Sequence, residues 1–466
     1  MALGLAAAAL GQADEPAKPL VATTPRVPAV GIELPADART QLRAHTDALG
    51  QAIDALARQH ADTPPLLRHL PDVQVYHKAV DWALNHRIFF KPSELKTAEE
   101  LLVAGSERAA QLASGKTPWT RATGLVVRGY ISRLDDSVQP YGLVIPQSVS
   151  TDPWRKRRLD VWLHGRDNKL SELKFIQQRR TSAGQFTPPD TIVLHPYGRF
   201  CNAFKFAGEA DVLEALAHAK KQYPVDNNRV SIRGFSMGGG GCWHLGAHFA
   251  GDWVAVAPGA GFAESLEYLG LARKNAMPPA HEQALWGLYD ATKYAGNLFN
   301  TATVAYSGEI DKQKQAADIM ARHLADEGLT LHHVIGPDTG HKYPPAAKAE
   351  INERINAAAA KGRNPVPSEV RLVTRTLRYN RQAWVRVDGL EAHWKPARIK
   401  ARIAGNERVE LTTDNVSRLV LSMPSGLCPL RPDGHPTVVI DGDELTGARV
   451  RTDRSWESLF VNALGR

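Results

Sequence analysis

Ser236 stands in the run Gly234-Phe235-Ser236-Met237-Gly238-Gly239-Gly240-Gly241, between a short strand-like segment and the helix-like stretch Cys242 to Phe249. A serine hydroxyl is a weak nucleophile until a base takes its proton and an acid orients that base. A tight strand–turn–helix around serine meets the first need, because it exposes the hydroxyl on a strained backbone. The glycines allow strand and helix to pass without a side chain between them. Gly-x-Ser-x-Gly also arises as an ordinary loop. The glycine run is not a P-loop, because no Lys-Ser or Lys-Thr follows it, and no spacing within 238–246 gives a dinucleotide fingerprint.

The partners come later in the chain. Asp311 follows Ser236 by 75 residues, and His341 follows Asp311 by 30. Both sit in turn-rich segments, Gly308-Glu309-Ile310-Asp311 and Gly340-His341, just past strand-like runs. Strand, elbow and the order Ser, Asp, His resemble the catalytic arrangement of α/β-hydrolases. Asp311 is the expected acid and Glu309 the runner-up, since the carboxylate must project from the turn beyond the strand tip. Asp311 could also serve only as a helix N-cap. His332 and His333 lie inside a strand and read as structural. An oxyanion needs two N–H donors. Met237 supplies one and Arg166, after His164-Gly165, the other. The loop His195-Pro196-Tyr197-Gly198 is the alternative, though Pro196 has no N–H. His164, Tyr197, Arg199 and Trp286 are candidates to line a substrate pocket.

Elements must carry these residues. Segments 36–60, 73–86 and 93–112 read as helices, the last N-capped by Ser93. Strand patterns follow at 124–131, 140–146, 159–163 and 191–194. A helix at 209–223, the elbow strand and helix, and a strand at 253–257 come next. Strands at 303–307 and 330–335 flank a helix at 312–327, and a helix at 346–361 closes the unit. This alternation predicts an α/β fold with a mostly parallel central sheet covered on both faces. The aromatic segment 262–299 interrupts it and reads equally as a roof or as packing helices. From Pro365 six strand patterns predict a small sandwich or barrel, with Trp384 and Trp394 as core. After Trp456 no final element is evident. The expected organisation is 1–13 as the end of a signal peptide, 14–120 helical, 121–362 an α/β-hydrolase catalytic domain and 363–466 β-rich.

The chain has 466 residues, 43% hydrophobic and 23% charged, with a net charge of +8. Its basic residues are scattered, and the cluster Arg155-Lys156-Arg157-Arg158 reads as a solvated loop, so no nucleic-acid partner is expected. Cys201, Cys242 and Cys428 match no metal or redox spacing and allow one disulfide at most. No stretch approaches a membrane span. The apolar start, ending Gly11-Gln12-Ala13, predicts export to the periplasm or medium.

From about Tyr141 to Tyr343 the chain resembles the prolyl oligopeptidase-like esterases and peptidases of the α/β-hydrolase superfamily. It is also similar to polyhydroxybutyrate-depolymerase-like and feruloyl-esterase-like enzymes. The resemblance rests on Pro140-Tyr141-Gly142-Leu143-Val144-Ile145-Pro146, Leu163-His164-Gly165, the run Tyr223 to Val230, Gly234 to Gly239, Gly308-Glu309-Ile310-Asp311 and Gly340-His341. It implies a Ser236, Asp311, His341 triad and a structural role for Asp226, with no metal or cofactor required. Prolyl oligopeptidases carry a β-propeller ahead of the hydrolase. The roughly 120 residues here are too few for one at ~40 residues per blade. The expectation is therefore a serine hydrolase of carboxylic esters, carbohydrate-linked ones included. A short-peptide peptidase is the second reading, and a non-catalytic binding protein on a hydrolase scaffold the third.

Overall fold

The computed structural model describes residues 28–461. The signal-peptide expectation for 1–13 lies outside the described residues. Helices α1 (Ala36–Gln59), α2 (Pro71–His86) and α3 (Ser93–Ala113) come first. Strands β1 (Gly124–Ile131), β2 (Val138–Ile145) and β3 (Arg157–Leu163) follow, then helix α4 (Glu172–Thr181) and β4 (Thr191–Pro196). Next are α5 (Ala207–Gln222), β5 (Val225–Phe235), α6 (Met237–His248), β6 (Ala255–Gly259) and β7 (Ala302–Gly308). Helix α7 (Lys314–Asp326), β8 (His332–Gly336) and α8 (Pro345–Lys361) complete this part.

The eight strands form one sheet in the order β1-β2-β4-β3-β5-β6-β7-β8. β2 pairs antiparallel with β1 and β4, and the other pairings are parallel. This is the mostly parallel sheet that the strand–helix alternation predicts. Side chains alternate between its two faces. Val126 and Tyr130 join a core with Val212, Leu216 and Leu245 of α5 and α6, while Val127 joins one with α1 to α4. The N-terminal helices are thus packed against the sheet flank through α4 (Leu173, Phe175, Ile176) and share its core.

Buried charges fasten that attachment. Asp72 of α2 accepts from Arg128 Nε at 2.9 Å, Gly129 N at 2.8 Å and Trp119 Nε1 at 2.9 Å. Burial opposes its charge, but Arg128 and His69 hold the carboxyl well below the usual range. Lys78 of α2 donates to Glu172 of α4 at 2.6 Å.

The C-terminal residues form a sandwich. Its five-stranded sheet, in order, is β16 (Asp443–Thr446), β15 (Thr437–Ile440), β13 (Arg408–Asp414), β12 (Ala397–Ala404) and β9 (Glu369–Thr374). The facing sheet is β10 (Arg381–Gln382), β11 (Val385–Leu390), β14 (Val416–Met423) and β17 (Trp456–Val461). A final strand therefore does follow 456, where Trp456, Ser458 and Phe460 alternate inward.

Other expectations need correction. Ser93 does not cap α3. Pro92 holds that position, and the Glu94 carboxylate accepts from Phe90 N instead. Trp384 is core, but Trp394 is 37% exposed. Arg157 lies in β3 rather than a solvated loop, fully buried and bonded to Asp152 O, Arg155 O and Asp190. All three cysteines are free. Among the described residues no helix is long and apolar enough to cross a membrane.

Asp72→Ala strands Arg128 without its counter-charge in the core. It should cost about 3–5 kcal/mol of unfolding free energy in urea. In the wild type the depressed carboxyl adds stability above the ordinary carboxylate pKa of about 4 and loses it as pH falls below. The variant's stability should accordingly fall less steeply in acid.

Candidate active site

All the expected catalytic residues lie beyond the carboxyl ends of parallel strands. Ser236 follows β5 with φ 59° and ψ −120°, a conformation side chains rarely adopt. It persists because its neighbours fix it: Ser236 N donates to Gly259 O at 2.9 Å, and Gly240 N returns to Ser236 O at 3.0 Å. The helix that follows is pressed against β3. A Cβ at Gly238 would stand 2.0 Å from Leu163 O, and one at Gly234 would stand 2.1 Å from Gly238 O.

The acid and base loops are clamped together. Gly308 lies so near the His341 loop that a Cβ there would meet Thr339 O at 2.2 Å and Gly340 O at 2.3 Å. Ile310 N donates to Thr339 O at 3.2 Å. His341 Nδ1 donates to Asp311 Oδ2 at 2.7 Å, with the Asp311 side chain 4% exposed and that of His341 41%. Asp311 Oδ1 accepts from Gln313 N at 2.9 Å, so the carboxylate also supports the turn into α7. Glu309 points elsewhere and accepts from Asp338 N. The His341 ring packs on Phe235, the residue before Ser236, with centroids 4.7 Å apart. Among the described residues there is no hydrogen bond between Ser236 Oγ and His341. Catalytic contacts of this kind often tighten only around substrate.

Met237 opens α6, so its N–H has no partner within the helix. The His164-Gly165-Arg166 loop runs alongside, where a Cβ on Gly165 would lie 3.8 Å from Ser236 Cβ. The Arg166 side chain is exposed and turned to Asn168 Oδ1 at 2.8 Å. His164 braces this loop, its ring nitrogens 2.9 Å from Gly165 O and 2.9 Å from Tyr197 O. Burial pushes its pKa down.

A cleft of about 490 Å³ opens beside His341, with aromatic walls from Trp162, Phe175, Phe235 and Tyr343. His164 lines it, but the other three pocket candidates do not. Tyr197 is buried and donates to Leu170 O at 3.0 Å. Arg199 makes a two-pronged pair with Asp135 at 2.6 and 3.0 Å. Both face a separate cavity of about 440 Å³ toward α2. Trp286 sits in the 262–299 segment with Lys293 Nζ 6.0 Å from its ring. That segment is largely packing: Tyr294 and Leu298 join a core with Trp243 of α6 and Tyr379. Sequence reasoning missed Arg179 and His195 in the cleft, because α4 was not recognised and His195 fell past the expected end of β4. The one available signal was Ser171 before Glu172, and the Ser171 hydroxyl does accept from Lys174 N.

No protein-family model and no curated protein matches the chain. Three solved structures give a sense of its neighbours. A protein described as a dipeptidyl aminopeptidase IV from Bacteroides ovatus is 14% identical over 52% of this chain and 36% of its own, with a TM-score of 0.39. A ferulic acid esterase is 19% identical over 50% of this chain and 97% of its own, at 0.37. An S-formylglutathione hydrolase from Staphylococcus aureus is 16% identical over 51% and 98%, at 0.38.

Proposed function

We propose that the protein is a serine hydrolase that cleaves carboxylic esters through an acyl-enzyme. The observation that carries this reading is the Asp311–His341 contact, set beside a serine held at positive φ at the end of β5. Ser236 Oγ attacks the ester carbonyl as its proton passes to His341 Nε2. Asp311 accepts from the Nδ1–H, fixing the tautomer and favouring the imidazolium that forms. The tetrahedral oxyanion is met by the N–H of Met237 and that of Arg166. It collapses, His341 protonates the departing alcohol, and water attacks the acyl-enzyme by the same route in reverse.

Ester is preferred to peptide because, among the described residues, neither flanking region lines the cleft. Its lining runs from Trp162 to Tyr343, and none of it comes from the N-terminal helices or the C-terminal sandwich.

Fluorophosphonate should label the wild type and leave Ser236→Ala unlabelled, with hydrolysis of p-nitrophenyl esters reduced at least about 10³-fold. A folded, unlabelled wild type would refute the reading.

Asp311→Asn should lower kcat by about 10³- to 10⁴-fold through the wrong histidine tautomer. Glu309→Gln should stay within about threefold of wild type, as exposed substitutions do. Equal losses from both would reassign the acid.

A further inference from the structure

One wall of the cleft holds a guanidinium with no acid. Arg179, near the end of α4, donates from Nη1 to His195 Nδ1 at 2.9 Å. Its Nε and Nη2 have no partner among the described residues. The buried arginines of the sheet are different: Arg128 meets Asp72 at 2.9 Å, Arg157 meets Asp190 at 3.1 Å and Arg233 meets Asp160 at 3.1 Å. No Asp or Glu lines the cleft, whereas Arg179 and Lys342 both do.

The site is built for this side chain. Its stem crosses β2 at Gly142, where a Cβ would stand 2.5 Å from Arg179 Cγ and 2.6 Å from Cδ. Its head rests on His195, the cross-strand neighbour of Gly142. Beyond lies Gly184 at φ 90°, where a Cβ would meet His195 Cε1 at 2.8 Å. His195 is 4% exposed, and burial, with Arg179 beside it, keeps its pKa well below the usual value. A neutral imidazole accepting from Arg179 fixes the guanidinium without cancelling its charge. Burial brings Arg179 down to about 10, which leaves it charged at neutral pH.

We propose that Arg179, braced by His195, receives a carboxylate carried by the substrate, so that the preferred esters have an acid group remote from the scissile bond. The inference rests on the ester-hydrolase reading and deepens it. The aromatic walls accept the apolar part, and the planar fork of Arg179 matches a carboxylate in two-pronged geometry.

The test compares mono-p-nitrophenyl esters of succinic, glutaric and adipic acid with their methyl-capped neutral counterparts. Uncatalysed hydrolysis is subtracted. For at least one chain length, wild-type kcat/KM should favour the free acid by about 10- to 100-fold, the worth of one charge-assisted contact. Added salt should shrink that ratio. In Arg179→Gln the ratio should fall to about 1, and Arg179→Lys, which keeps charge without the fork, should lie between. A wild-type ratio at or below 1 for all three lengths, in protein that labels at Ser236, overturns the proposal and spares the hydrolase reading. If the wild type neither labels nor hydrolyses any ester, the hydrolase reading fails by itself. Calorimetry with monomethyl glutarate then decides the anion site. Binding by wild type but not by Arg179→Gln supports it, and binding by neither overturns it.

Discussion

Ser236 holds its backbone at φ 59° and ψ −120°, a conformation worth about 1–3 kcal/mol of strain that survives only where the surroundings over-determine it. The surroundings here are four elements gripping one glycine run. Gly238 lies on the end of β3, Gly239 on Gly259 at the end of β6, Gly240 under the Phe262 ring and Gly241 under Phe204. Each contact is too close for a side chain. The run therefore works as a locating surface: β3, β6 and two loops converge on it. Ser236 is carried to the end of β5, next to Phe235, on which the His341 ring sits, and beside Gly165 of the 164–166 loop.

The regions outside the sheet bear on the same helix. Tyr379, which follows β9, donates to Glu209 Oε2 at 2.8 Å, and Arg378 Nε donates to Oε1 at 3.0 Å. Glu209 in turn meets His244 of α6 at 2.6 Å. Burial pushes the pKa of His244 down despite that partner, while His244 and Arg378 outweigh burial and lower that of Glu209. A buried carboxylate held this way is costly to disturb, since removing one partner leaves a charge unpaired. The sandwich is thereby tied to α6, the helix that follows Ser236, and the Asp72–Arg128 pair ties the N-terminal helices to the β1 edge of the sheet. Among the described residues neither flanking region contributes to the lining of the cleft.

What could be read from the sequence was what depends on neighbours in the chain. β1 spans the residues its apolar pattern marks, the elbow is written in five consecutive positions, and the parallel sheet follows from strand–helix alternation. The Asp311 and His341 loops were visible because glycines and turn formers follow strand-like runs. What escaped depends on distant partners. α4 is a helix whose polar residues outnumber its apolar ones, and it is held by Lys78 and by the N-terminal core. Arg157 looks like surface in a basic run, yet Asp190 and three backbone carbonyls make its burial tolerable. Tyr197 and Arg199 sit in a loop that seemed to face the site. Asp135 and Leu170, far off in sequence, turn them away.

A fold selected for stability alone would not place Arg179 where it stands. Its removal from water costs free energy that no carboxylate repays, and two glycines surrender side-chain packing to make room for its stem and for the histidine beneath its head. Gly142 does so in the middle of a strand, where glycine weakens the sheet. Departures of this kind from local consistency gather at sites that do something other than fold. Ser236, at positive φ, is another. Arg179 has its brace in His195 but, among the described residues, no anion. The missing partner of Arg179 is thus expected to arrive with the molecule on which Ser236 is proposed to act.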